Sequence, residues 1–201
     1  MNRPRPTADE ILAFWFEEAG PEKWYRVSAA FDAQMRRRFG KTIEREAAVF
    51  RQGGHPWCET AEGALALILL FDQFPRNVWR GSGKAFEFDP LARDLAGRMI
   101  ERGFDWAVSE GRRAFVYMPF MHSEDLADQD RCIELARERL DGEGTLHHAV
   151  KHREVIERFG RFPYRNEALG RASTPFEVEY LVNGGYAPGR NDSAKSSGGQ
   201  G

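Results

Sequence analysis

Residues Ala64 to Arg80 read ALALILLFDQFPRNVWR. The stretch opens as an uncharged apolar run to Phe71 and then turns abruptly into Asp72, Gln73, Phe74, Pro75, Arg76, Asn77 and Arg80. A segment that is apolar nearly all round predicts a helix packed on most of its faces, roughly Thr60 to Phe74, with Pro75 ending it. A second stretch, FGRFPYRN from Phe159 to Asn166, has the same form. Both read as the buried end of a helix, broken at Phe-Pro and followed at once by Arg and Asn. The two ends are expected to meet and build a polar site.

Working outward, the rest of the chain reads as helices as well. Thr7-Ala-Asp-Glu10 has capping-box spacing and opens a helix that carries Ile11, Leu12, Trp15 and Phe16 and stops at Gly20-Pro21. A loop with Trp24 and Tyr25 follows. Phe31, Met35, Phe39, Ile43, Ala47 and Phe50 then recur at helical spacing from about Ser28 to Arg51, across Gly40. Asp89-Pro90 reads as an N-cap with proline at the first helical position, before a helix that stops at Gly103. A short helix from about Ser109 ends at Pro119. Ser123 caps the next, Thr145 opens another that closes at Gly160, and Thr174-Pro175 starts a last one through Leu181.

No segment alternates with period 2. The expected fold is therefore all-α: a compact bundle of about eight helices in packed antiparallel pairs. Residues 1–6 form a mobile Pro/Arg-rich lead, 7–186 a single domain, and 187–201 a disordered polar tail rich in Gly and Ser. With 201 residues, one domain with a sizeable core is the default. A formal net charge of -2 gives no reason to expect nucleic acid or an anionic membrane as a partner. The N-terminus lacks a secretory apolar core, no apolar run approaches the length of a membrane span, and Cys58 and Cys132 lie in no disulfide or metal pattern. A cytoplasmic location is expected.

Three constellations carry chemistry. Arg76 and Arg80 follow the first Phe-Pro, and Arg161, Arg165 and Arg171 surround the second, with Asn77 and Asn166 beside them. Guanidinium forks near helix ends suit carboxylate or phosphate oxygens. The plainer reading has these arginines on helix C-terminal carbonyls and paired with Asp72, Asp89 or Glu177. His122 and Glu124, just after Pro119, suit acid–base chemistry, although Glu124 and Asp125 also fit an acidic first helical turn. His148 and His152 stand at i, i+4, a spacing a divalent metal uses, but Ala149 takes the place of a catalytic Glu. No cofactor-binding signature is present, neither a Walker A loop nor a dinucleotide-binding glycine motif.

Three stretches occur in order: LILLFDQFPRNVWRG with AFEFDPLA, then FVYMPFMHSEDL, then a histidine seven residues before FGRFPYRN and a following GRAST. Together they resemble the bacterial domain-of-unknown-function family 924, over roughly Ala8 to Val182. The resemblance implies an all-helical, tetratricopeptide-like fold and brings no established activity, substrate or cofactor. The positions matching its motifs include Asp72, Gln73, Arg76, Asn77, Arg80, His122, Glu124, His152, Arg161, Arg165, Asn166 and Arg171. Tyr164 stands where members often carry His.

The leading expectation is a polar pocket at the two Phe-Pro loops that binds a small anionic molecule. Asp72, Gln73, Arg76, Asn77, Arg80, His152, Arg161, Arg165, Asn166 and Arg171 would hold the ligand, and His122 and Glu124 would serve as acid and base. On this reading Arg76 and Arg165 are dispensable for folding. An interaction module that takes a protein or peptide partner, and a metal-dependent hydrolase on His148 and His152, are the alternatives. Whether the chain is an enzyme stays open at this point.

Overall fold

The computed structural model describes residues 5–24 and 26–187. The expected disorder at residues 1–4 and 188–201, and the loop position of Tyr25, lie outside the described residues. The principal helices are α1 (Ala8–Ala13), α2 (Ala29–Arg51), α3 (Ala61–Ile68), α4 (Asp89–Glu101), α5 (Glu110–Met121), α6 (Leu126–Arg139), α7 (Glu143–Phe159) and α8 (Pro175–Val182). No strand occurs among the described residues, so the fold is all-α. None of these helices is long and apolar enough to cross a membrane.

The apolar run forms the centre of the core. Every residue from Ala64 to Phe71 is at most 1% exposed, as are Phe74 and Val78. α1, α4 and α5 pack against α3, and α2 packs against its C-terminal extension. α5 then packs on α6, and α6 on α7. The Thr7–Glu10 capping box is formed, and Gly103 and Gly160 take left-handed backbone angles where α4 and α7 end.

Proline does not stop the chain where the sequence expects it to. α3 runs on through a π-helical segment, Leu69–Gln73, into an α-turn, Phe74–Val78. The Phe74 N–H bonds the Leu69 carbonyl five residues back, and Pro75 sits in the first turn of the new segment, where its missing N–H costs nothing. The π segment re-phases the helix so that Asp72 and Gln73 end up buried at its polar end. Pro119 likewise lies inside α5, which continues to Met121. Burial of Pro119, Phe120 and Met121 offsets the one helical bond that proline removes.

Three helix starts also differ from expectation. Asp125, not Ser123, caps α6 by accepting the Ala127 N–H, while Ser123 Oγ bonds Asp128 and Asp125. α7 begins at Glu143, ahead of Thr145. Asp89 is the first residue of α4 rather than its cap, so its carboxylate is free for other partners.

Candidate functional site

The polar end of α3 carries two carboxylate contacts in one turn. Asp72 is fully buried, and its Oδ1 lies 2.7 Å from His122 Nδ1 and 3.2 Å from Arg76 Nη2. The Gln73 side-chain amide donates to the other oxygen. Arg76 reaches on to Asp89 with two parallel bonds, of 2.9 and 3.1 Å, and to the Ala85 carbonyl. Asp89 Oδ2 also lies 3.6 Å from Arg165 Nη1. One carboxylate at the start of α4 thus stands between the arginine of the first Phe-Pro segment and that of the second. The two segments meet as the sequence led us to expect, and Asp89 joins them.

Arg165 sits in the short 3-10 turn Pro163–Arg165 and is only 4% exposed. Its guanidinium lies 4.4 Å from the ring centre of Phe162 and 4.6 Å from that of Phe86. Nε bonds the Tyr164 hydroxyl oxygen at 3.2 Å, but Nη2 is buried with no hydrogen-bond partner. On the other side of Phe162, the His152 ring packs 5.5 Å from the same ring centre, 5.9 Å from His122 and 4.6 Å from Tyr186. His152 Nδ1 is 2.7 Å from the His148 carbonyl oxygen, one helical turn back.

The electrostatics follow from burial and neighbours. Burial alone would raise the Asp72 carboxyl, but the charge His122 carries once protonated, the charge of Arg76, and bonds from His122 and Gln73 hold it down to about 2. Burial lowers the His122 imidazole, and Arg76 adds to this against the opposing pull of Asp72. Burial pushes His152 down to about 3, helped by His122 and Arg165. Around neutrality, therefore, Asp72 is ionised and both imidazoles are neutral. Burial also works against the Arg76 charge, but Asp89 and Asp72 outweigh it and keep Arg76 firmly protonated.

The remaining expected site residues are occupied elsewhere. Arg80 and Asn77 both bind Asp32 of α2, Arg80 through two bonds of 2.6 and 3.0 Å. Arg161 forms a two-bond pair with Glu177 and also bonds the Ala172 carbonyl. Arg171 pairs with Glu124 through two bonds and accepts no other role than bracing the loop through Phe162 O and Asn166. Asn166 also bonds Ser173. Glu124 takes the Phe162 N–H at 2.8 Å, so its carboxylate clamps the second Phe-Pro segment. The plain structural reading, with arginines on Asp72, Asp89 and Glu177, is seen in these pairs. Arg76 has two carboxylate partners, which removes the expectation that it is dispensable for folding.

His148 is exposed and offers His152 its backbone carbonyl, not its ring; His147 is exposed too. No group of three His, Cys, Asp or Glu side chains arranged to hold a metal occurs among the described residues. Two surface clefts, one beside Phe159, Phe176 and Glu177 and one beside Arg93, Asp94 and Asp128, do not include Arg76, His122 or Arg165.

Sequence reasoning named Asp89 only as an ion-pair partner of the arginines, gave Phe162 no place in the site, and missed Phe86 and Tyr186. Asp89 and Phe86 lie in AFEFDPLA, one of the stretches that carry the family resemblance, and that was the available signal.

No curated protein sequence matches the chain. Among solved structures, it is similar to that of a protein of unknown function, ATU0120 from Agrobacterium tumefaciens. The two are 47% identical, with a TM-score of 0.79, over 88% of this chain and 97% of that one. The model of the bacterial protein family of unknown function DUF924 matches residues 11–185, and the chain belongs to that family.

Proposed function

We propose that the protein binds a small oxyanion between the two Phe-Pro segments, with Arg165 as its principal ligand and Arg76 beside it. The observation that carries this reading is the unpartnered Nη2 of Arg165. A buried guanidinium N–H left without an acceptor costs about 1–3 kcal/mol or more, and such groups in native proteins call for an explanation. Arg76 is satisfied by the protein; Arg165 is not. Phe86 and Phe162 hold its plane in place, so little rotamer freedom is lost when an anion arrives. His122, oriented by Asp72, is the acid–base group of the site, and Glu124 positions the loop.

Arg165→Met tests this. It removes the unmet N–H and keeps most of the side-chain volume. The melting temperature of the free protein is expected to stay level or rise. Stabilisation by added phosphate, which follows mass action and reaches about 2.7 kcal/mol at a hundredfold excess over Kd, is expected to vanish. A variant that melts much lower than the wild type, or that responds equally to phosphate, would assign Arg165 to the scaffold instead.

One observation favours a second reading, an interaction surface. Helix α8 is inverted: its only buried residue is Glu177, while Phe176 is 69%, Val178 49% and Val182 75% exposed. Glu177 turns inward because it completes the Thr174 capping box and pairs with Arg161. That leaves Val178 and Val182, one helical turn apart, exposed together and Phe176 exposed on another side of the helix, apolar surface of the kind found where proteins bind. Phe176→Glu with Val182→Glu is expected to leave stability within about 0.5 kcal/mol and to abolish retention of any peptide or protein partner. Equal retention by variant and wild type would end this reading.

A further inference from the structure

We infer that the Tyr164 hydroxyl is the second donor to the oxyanion, so that the ligand binds end-on, one of its oxygens held jointly by Arg165 Nη2–H and Tyr164 Oη–H. This rests on the anion-binding reading above and names a further ligand residue of the same site. Tyr164 precedes Arg165 in the 3-10 turn Pro163–Arg165, and its hydroxyl oxygen accepts the Arg165 Nε–H at 3.2 Å. A hydroxyl that accepts still has its own hydrogen to give, and no acceptor for that hydrogen occurs among the described residues. The hydroxyl also fills only half of an edge. Nε–H and one Nη2–H leave the guanidinium side by side, spaced to take two oxygens of one carboxylate or phosphate. Tyr164 stands at the Nε position, and the neighbouring Nη2 is the nitrogen left without a partner.

An oxygen seated on Nη2 therefore lies beside the Tyr164 oxygen, at the separation of the two acceptors of one fork. Two bare oxygens repel at that distance. A hydroxyl and an anionic oxygen instead form a short O–H···O⁻ bond, of about 2.5–2.7 Å. The Tyr164 hydrogen has only to rotate towards the ligand. Both donors are held in place beforehand. Phe86 and Phe162 cover the guanidinium, and the Tyr164 ring centre lies 5.6 Å from that of Phe162, so one ring braces the pair. Arg76, whose charge burial opposes and Asp89 and Asp72 uphold, is near enough for the Tyr164 oxygen to add to that support. The hydroxyl thus stands within electrostatic reach of both arginines. With Tyr164 on Nε, an anion cannot place two oxygens on this edge. A carboxylate or a phosphoryl group meets the site through one oxygen, and the rest of the ligand points away from the fork.

The test is calorimetric titration of the full chain with inorganic phosphate near neutral pH, for the wild type, Tyr164→Phe and Arg165→Met. Tyr164→Phe removes one oxygen and keeps the ring beside Phe162. It is expected to weaken phosphate binding about tenfold or more, the loss of one hydrogen bond to a charged group, and Arg165→Met to abolish it. In the wild type itself, phosphate is expected to move the tyrosine absorption band to longer wavelength, the signature of a phenol that begins to donate to an anion. That spectrum decides the matter even where a variant fails to fold. A hydroxyl that merely blocked the Nε position would give the opposite result. Its removal would open the whole fork to two oxygens, phosphate would bind Tyr164→Phe as tightly as the wild type or more so, and the band would not move. That outcome would overturn the inference and leave the anion site intact. No binding of phosphate to the folded wild type would overturn the anion-binding reading, and this inference with it.

Discussion

Phe74→Ala is expected to lower the unfolding free energy by about 3–5 kcal/mol and the melting temperature by about 6–20 °C. Phe74 is fully buried, and its ring centre lies 4.9 Å from Phe39, 5.3 Å from Trp15 and 5.8 Å from Phe14. Truncation removes the transfer energy of a phenyl ring, opens a cavity that three large neighbours cannot collapse into, and deletes three aromatic contacts. The residue also stands where the π segment hands over to the α-turn, so it couples Phe14 and Trp15, just after α1, and Phe39 of α2 to the polar residues around Asp72. Phe176→Ala is the control. At 69% exposure it should cost under about 0.5 kcal/mol. Urea unfolding of the two variants against the wild type checks both figures, and comparable losses would mean that the aromatic cluster is not what organises the core.

The same region shows what sequence makes legible. A charge-free run from Ala64 to Phe71 has no stable place except the interior, so the central helix can be read without any structure. The capping boxes at Thr7 and Thr174 are equally local, because each needs residues only three apart. What could not be read is anything that depends on phase. Pro75 and Pro119 normally mark helix ends, but a π segment and an apolar face respectively carry the helix past them. The site was half legible for a related reason. Arg and Asn after each Phe-Pro announced polar chemistry, yet which arginine is spoken for depends on residues far along the chain: Asp32 for Arg80, Asp89 for Arg76, Glu124 for Arg171, Glu177 for Arg161. Only that pairing reveals Arg165 as the one of these five with a buried N–H left over. The tautomers of His122 and His152 likewise follow from an Asp fifty residues away and from a carbonyl that only helical geometry brings near.

Acidification from pH 7.5 to 5 is expected to weaken the protein well before its carboxylates titrate, and His152 is the main cause. Its folded-state value lies near 3 against about 6.5 unfolded. Below 6.5 the unfolded chain binds a proton that the folded chain refuses, so stability falls as the pH falls. The contribution is complete above about pH 6.5 and is lost progressively down to about pH 3, reaching roughly 3–5 kcal/mol at the bottom of that window. By pH 5 about 2 kcal/mol should be gone. His122 acts in the same direction, since burial lowers it too. Asp72 enters later: with a folded value near 2, its stabilising effect is present above about pH 4 and disappears between about pH 4 and 2. His152→Asn keeps a donor for the His148 carbonyl but cannot be protonated, so its stability should change far less between pH 7 and 5. Denaturant midpoints measured across that range decide the matter, and parallel curves for variant and wild type would show that His152 titrates normally in the folded state.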